Sequence, residues 1–145
     1  MAKKQPIVHV EYRTRDAHKL KTFYGSVFEW KFDDVMPGYT MFDAGNKEIG
    51  GGIMHMAADQ QMPTGVSNYI GVKSLVDTEA KINAHGGKIL MSNQEVPGMG
   101  HFSVFTDVDG NFVGIFQELD KKTAKKAAKA EKKAKKKEKK KAKKA

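Results

Sequence analysis

The sequence contains no cysteine. That excludes a disulfide framework, a thiolate nucleophile and a thiolate metal site. No apolar run approaches the roughly 18 residues needed to span a bilayer. Met1 to Pro6 carries two lysines with no apolar stretch behind them, so no secretory signal is read and a soluble, cytoplasmic protein is expected. The last 25 residues lack arginine and aromatic side chains. They comprise 15 Lys, 7 Ala, 2 Glu and 1 Thr, a net charge of +13. Because the whole chain carries +9, residues 1–120 carry −4. The chain therefore divides into an acidic domain, 1–120, large enough for one hydrophobic core, and a basic tail, 121–145, expected to be disordered when free and to gain helix where a polyanion neutralises it.

What is present reads as alternating strands and helices. Ile7 to Tyr12 puts Val8, Val10 and Tyr12 on one face and His9 and Glu11 on the other. Asp16 is a good N-cap for a helix whose Leu20, Phe23, Tyr24 and Val27 recur at helical spacing. Strands follow from Trp30, over Tyr39 to Ala44 and over Glu48 to Met56. The order then repeats: a strand over Asn68 to Val72, a helix capped by Ser74 and ended by Gly86-Gly87, and strands over Lys88 to Met91, His101 to Thr106 and Phe112 to Gln117. Thr14 matches Val72 at an offset of 58, and Gly52 matches Gly114 at an offset of 62. Two half-modules, about 7–56 and 67–118, are expected to share one sheet, with residues 57–66 as the linker. The fold class is α+β: two βαβββ modules forming a curved mixed sheet with a cleft, helices on the outer face. The polar face of the strands makes His9, Glu11, Tyr69, His101 and Ser103 the candidate cleft wall.

Several stretches carry a family resemblance. They are His9-Val-Glu-Tyr-Arg-Thr-Arg-Asp16, Phe23-Tyr-Gly-Ser-Val-Phe-Glu-Trp-Lys31, the helix end at Gly86-Gly87, and Asp107-Val-Asp-Gly-Asn111 with the strand after it. Spread over residues 7–118, they resemble the vicinal oxygen chelate superfamily of glyoxalase I, bleomycin-resistance proteins and extradiol dioxygenases. The ending Gly114-Ile-Phe-Gln117 is similar to that of its uncharacterised glyoxalase-like members. The resemblance implies the fold above, a divalent metal held by His and Glu from four inner strands, and pairing as a homodimer. Carried over by position, His9 matches the first ligand. The others fall on Gly51 or Gly52, on Ser67 and on Gly114, none a metal ligand of that kind. One imidazole cannot hold a catalytic ion that normally takes three protein ligands. No cofactor is therefore expected, with a divalent metal left open.

Two functions stay in play. In one, the cleft binds a small organic molecule, with Glu11 suited to a cation, and Tyr39, Met54, Tyr69, Met99, His101, Phe112 and Phe116 as further ligand-binding candidates. In the other, the chain is a lyase, isomerase or dioxygenase of the superfamily using His9 as the catalytic base. Asp107 to Asn111 reads as a hairpin turn, not a calcium loop, since the later bidentate glutamate is missing. The tail suits phosphate backbones, so sequence-blind contact with DNA, RNA or another polyanion is expected. No membrane partner is expected, because no apolar face accompanies the charge.

Overall fold

The computed structural model describes residues 3–144. Its elements are β1 (Ile7–Thr14), α1 (Ala17–Phe28), β2 (Lys31–Met36), β3 (Tyr39–Asp43), β4 (Gly50–His55), β5 (Gly65–Gly71), α2 (Leu75–Ala84), β6 (Lys88–Val96), β7 (Gly100–Thr106), β8 (Phe112–Glu118) and α3 (Lys121–Lys144). The eight strands form one curved mixed sheet in the order β2-β3-β4-β1-β5-β8-β7-β6. Each half is a βαβββ unit. The halves meet at the centre, where β1 and β5 run antiparallel, and each of these pairs in parallel with the last strand of its own half.

The register confirms the duplication. Glu11 pairs with Gly52 across β1 and β4, and Tyr69 pairs with Gly114 across β5 and β8. These are the same places in the two halves, at the offsets of 58 and 62 read from the sequence. Both predicted caps form: Asp16 accepts from the Lys19 N–H at 3.0 Å, and Ser74 from the Asp77 N–H at 3.2 Å. Asp107 accepts from the Asp109 and Asn111 N–H groups, each at 2.9 Å, so its carboxylate stitches the predicted turn.

The two outer faces are built differently. Under α2, Val72, Leu75, Phe105 and Ile115 form a buried core with Ile70, Ile82, Ile89 and Val113 packed against it. Each fully buried side chain of this size contributes about 1.5–3 kcal/mol. Under α1 the expected apolar stripe is only half used: Phe23 and Val27 are each 55 % exposed, and no α1 residue is buried. The strands beneath present rings instead. Tyr24 stacks on Trp30 at 4.7 Å, Trp30 stacks on Phe42 at 4.6 Å, and Phe42 fills the space left by Gly51. β2 starts at Lys31, one residue later than the sequence suggested.

The tail is expected to be disordered when free and helical where a polyanion neutralises it. It forms α3, a 24-residue helix. Alanine, lysine and glutamate are strong helix formers, and the repulsion between like charges one turn apart opposes them. No helix among the described residues is long and apolar enough to cross a membrane.

Candidate functional site

Strand alternation puts His9, Glu11 and Arg13 on the sheet face opposite the helices. Their registered neighbours are Gly50, Gly52 and Met54 on β4, and Tyr69, Ser67 and Gly65 on β5. Glu11 is 7 % exposed. Its carboxylate accepts from the Tyr69 hydroxyl at 3.2 Å and also bonds the Tyr39 hydroxyl. Tyr39 reaches it from β3, which pairs with β4 so that Tyr39 faces Met54. The same hydroxyl lies 2.8 Å from His9 Nε2. A phenol has one proton to give. If Tyr39 donates it to Glu11, the imidazole must donate from Nε2, which leaves Nδ1 as its accepting nitrogen.

Burial sets the electrostatics. It pushes the Glu11 carboxyl above its ordinary value, an effect partly offset by the Tyr39 and Tyr69 hydroxyls and the Arg13 charge. It pushes His9 down, which favours a neutral imidazole. Both tyrosines are pushed up, by burial first and then by the Glu11 charge, so they stay phenols. The cluster is a hydrogen-bonded chain running His9, Tyr39, Glu11, Tyr69.

Arg13, which the sequence reading passed over, completes the floor. It is 6 % exposed. Its Nη1 donates to Ser67 Oγ, its Nε donates to the Pro63 carbonyl at 3.0 Å, and its guanidinium lies 5.5 Å from the centre of the Phe112 ring. It thus joins the linker to both halves. The sequence signal was its i+2 spacing from Glu11, on the same strand face.

The superfamily's metal positions can be tested against these contacts. A Cβ at Gly52 would overlap the Tyr39 hydroxyl, and one at Gly114 would overlap the Tyr69 ring. Gly51 faces the other way, against Phe42. Ser67 is taken by Arg13. Among the described residues no group of three or more His, Cys, Asp or Glu side chains comes together as a metal site requires.

The remaining candidates divide. Met54 faces the site opposite Tyr39. Phe112 and Phe116 share the Gly114 face of β8, and their partners on β7 are Thr106 and Phe102. Phe102 therefore belongs to the wall, with its ring 6.2 Å from that of Tyr69, and it too was missed. His101 and Ser103 alternate with Phe102 along β7 and lie on the helix face. Ser103 is wholly buried and donates to Glu79 of α2, while Phe105 joins the core around Leu75. Ser103 is polar because it seats a helix, not because it faces a cleft. Met99 sits in the turn between β6 and β7 and is 54 % exposed.

Comparison with known proteins agrees with this architecture. The Glyoxalase/Bleomycin resistance protein/Dioxygenase superfamily model matches residues 6–115. The chain belongs to that superfamily. Among its relatives, a protein named as a glyoxylase, CFP32, of Mycobacterium bovis and Mycobacterium tuberculosis is 30 % identical over 114 residues, 74 % of this chain and 44 % of that protein. The chain thus spans less than half the length of the curated relatives it matches. Similar solved structures include a methylmalonyl-CoA epimerase of Mycobacterium tuberculosis, with a TM-score of 0.60 at 10 % identity, covering 81 % of this chain and 91 % of that one. A Mn(II)-bound glyoxalase of Novosphingobium aromaticivorans has a TM-score of 0.57 at 18 % identity, covering 79 % and 40 %. At such identities these structures share the fold alone.

Proposed function

We propose that this superfamily member binds a small organic molecule in its cleft without the usual metal. The observation that carries this reading is the convergence of the Tyr39 and Tyr69 hydroxyls on Glu11, above glycines where metal ligands would stand. Rings from neighbouring strands occupy the space that ligating side chains would need. The polar end of a ligand would meet Glu11, Tyr39 and His9, and its apolar part Phe102, Phe112 and Phe116. A buried carboxylate beside aromatic rings suits a ligand with a cationic or N–H donor group. The basic helix α3 is a separate polyanion-binding element on the same reading.

The test is a calorimetric screen of organic amines on the full chain, with and without chelator, beside metal analysis of the purified protein. Binding that survives chelator and is weakened about tenfold or more by Tyr69→Ala is expected. Stoichiometric Ni, Mn, Zn or Fe that disappears in His9→Ala would overturn the metal-free reading.

One observation favours a second reading, an enzyme of lyase, isomerase or dioxygenase type. His9 is held neutral by burial and heads a chain of proton-bearing groups, the state a general base needs. In that case His9→Gln abolishes turnover while ligand affinity stays within about threefold of the parent's.

A further inference from the structure

The helix α3 bears lysine around about two-thirds of its circumference and none in the remaining sector. Lys125, Lys129, Lys132, Lys136, Lys139 and Lys143 succeed one another at steps of three or four residues, which stacks them in one exposed row. Glu131, Ala134, Glu138 and Ala142 form a row within the sector that has no lysine, also exposed. Both acids of the tail are in this second row. At 1.5 Å per residue the 24-residue helix is about 36 Å long, close to the roughly 34 Å of one turn of a nucleic-acid duplex. Its bare diameter suits a major groove about 12 Å wide.

The side chains exclude the competing partners by chemistry. The helix bears nothing apolar larger than an alanine methyl, so it has no face to sink into lipid. It has no aromatic or arginine side chain to stack on unpaired bases. What lysine ammonium groups do well is neutralise rows of phosphates, and a duplex presents those at high and regular density. The −4 charge of residues 1–120 holds the rest of the chain away from the same polyanion.

We propose that α3 binds double-stranded nucleic acid through its lysine row, without regard to base sequence, with the Glu131–Ala142 row turned to solvent. This rests on the polyanion reading of the helix and narrows it to a duplex. The lysines contact backbone phosphates, which position a protein on the duplex but carry no sequence information.

The experiment is fluorescence anisotropy of the full chain with a labelled random-sequence duplex of about 24 base pairs. One strand of that duplex, phosphatidylserine vesicles and inorganic polyphosphate serve as competitors. The duplex is expected to bind tightest, and to lose on the order of 10³-fold in affinity between 50 and 200 mM salt. Joint substitution Lys125→Gln, Lys129→Gln, Lys132→Gln and Lys136→Gln should weaken it about tenfold or more, since each lost phosphate contact removes released counterions. Glutamine keeps helix propensity, and circular dichroism checks that the helix persists. Joint Glu131→Gln and Glu138→Gln should leave affinity equal or higher. Single strand or vesicles competing as well as the duplex would overturn the proposal while leaving polyanion binding intact, as would equal losses from the lysine and glutamate rows. Binding to none of the four probes would overturn both.

Discussion

The Tyr69 ring lies across the backbone of Gly114, in the place a side chain on β8 would occupy. The contact makes the glycine a condition of the cluster, because any Cβ there must displace the ring that brings its hydroxyl to Glu11. Gly114→Ala is therefore expected to cost about 1–3 kcal/mol, as overpacking does. The thermal midpoint should fall by several degrees, measured in the full chain by calorimetry. Removing the ring relieves the conflict, so Gly114→Ala should cost less in a Tyr69→Ala background than alone. Additive costs would show that the two residues are independent.

The pH dependence of stability should carry two opposed contributions. Burial raises the Glu11 carboxyl above its ordinary 4.5. The native state then holds a proton the unfolded chain releases, and stability falls as pH rises from about 4.5 through the raised value. His9 is shifted below its ordinary 6.5. The unfolded chain then binds a proton the native state refuses, so stability falls as pH drops below 6.5. Urea unfolding midpoints between pH 4 and 8 separate the two. Glu11→Gln should flatten the decline above pH 4.5 and leave the one below 6.5, and His9→Gln should do the reverse.

Arg13 holds the linker by geometry that lysine cannot copy. Its planar fork serves the Pro63 carbonyl and Ser67 Oγ together while its face covers Phe112. Arg13→Lys is expected to cost about 2 kcal/mol, the scale of a charged hydrogen bond lost in a buried setting. It should also speed proteolytic cleavage within residues 57–64. An unchanged urea midpoint would mean that the linker is held by something else.

Much of the fold was legible because its signals are local. The caps at Asp16 and Ser74, the turn at Asp107–Asn111 and the repeat spacing each depend on residues close in sequence. That Glu11 and Tyr69 share a sheet face was legible because polar and apolar side chains alternate along β1 and Tyr69 is flanked by Ile70 on β5. Strand β7 does not alternate cleanly. His101-Phe-Ser-Val-Phe-Thr106 places apolar side chains on both faces, and the polarity of Ser103 answers to Glu79, 24 residues upstream on α2. Polarity alone could not say which side chains of β7 share a face with Tyr69. This placement has its own check in ligand binding: Phe102→Ala should weaken affinity about tenfold, and His101→Ala should leave it unchanged. The reverse result would put β7 in the opposite register.

Glu11 and Tyr69 hold corresponding places in the two halves, yet one is an acid and the other a phenol. Two free copies of the first half, paired about a true dyad, would set carboxylate against carboxylate. Two copies of the second would set phenol against phenol. Joining unlike halves in one polypeptide gives the centre of the sheet a chemical direction its backbone lacks, so a guest with distinct ends has one way round to fit.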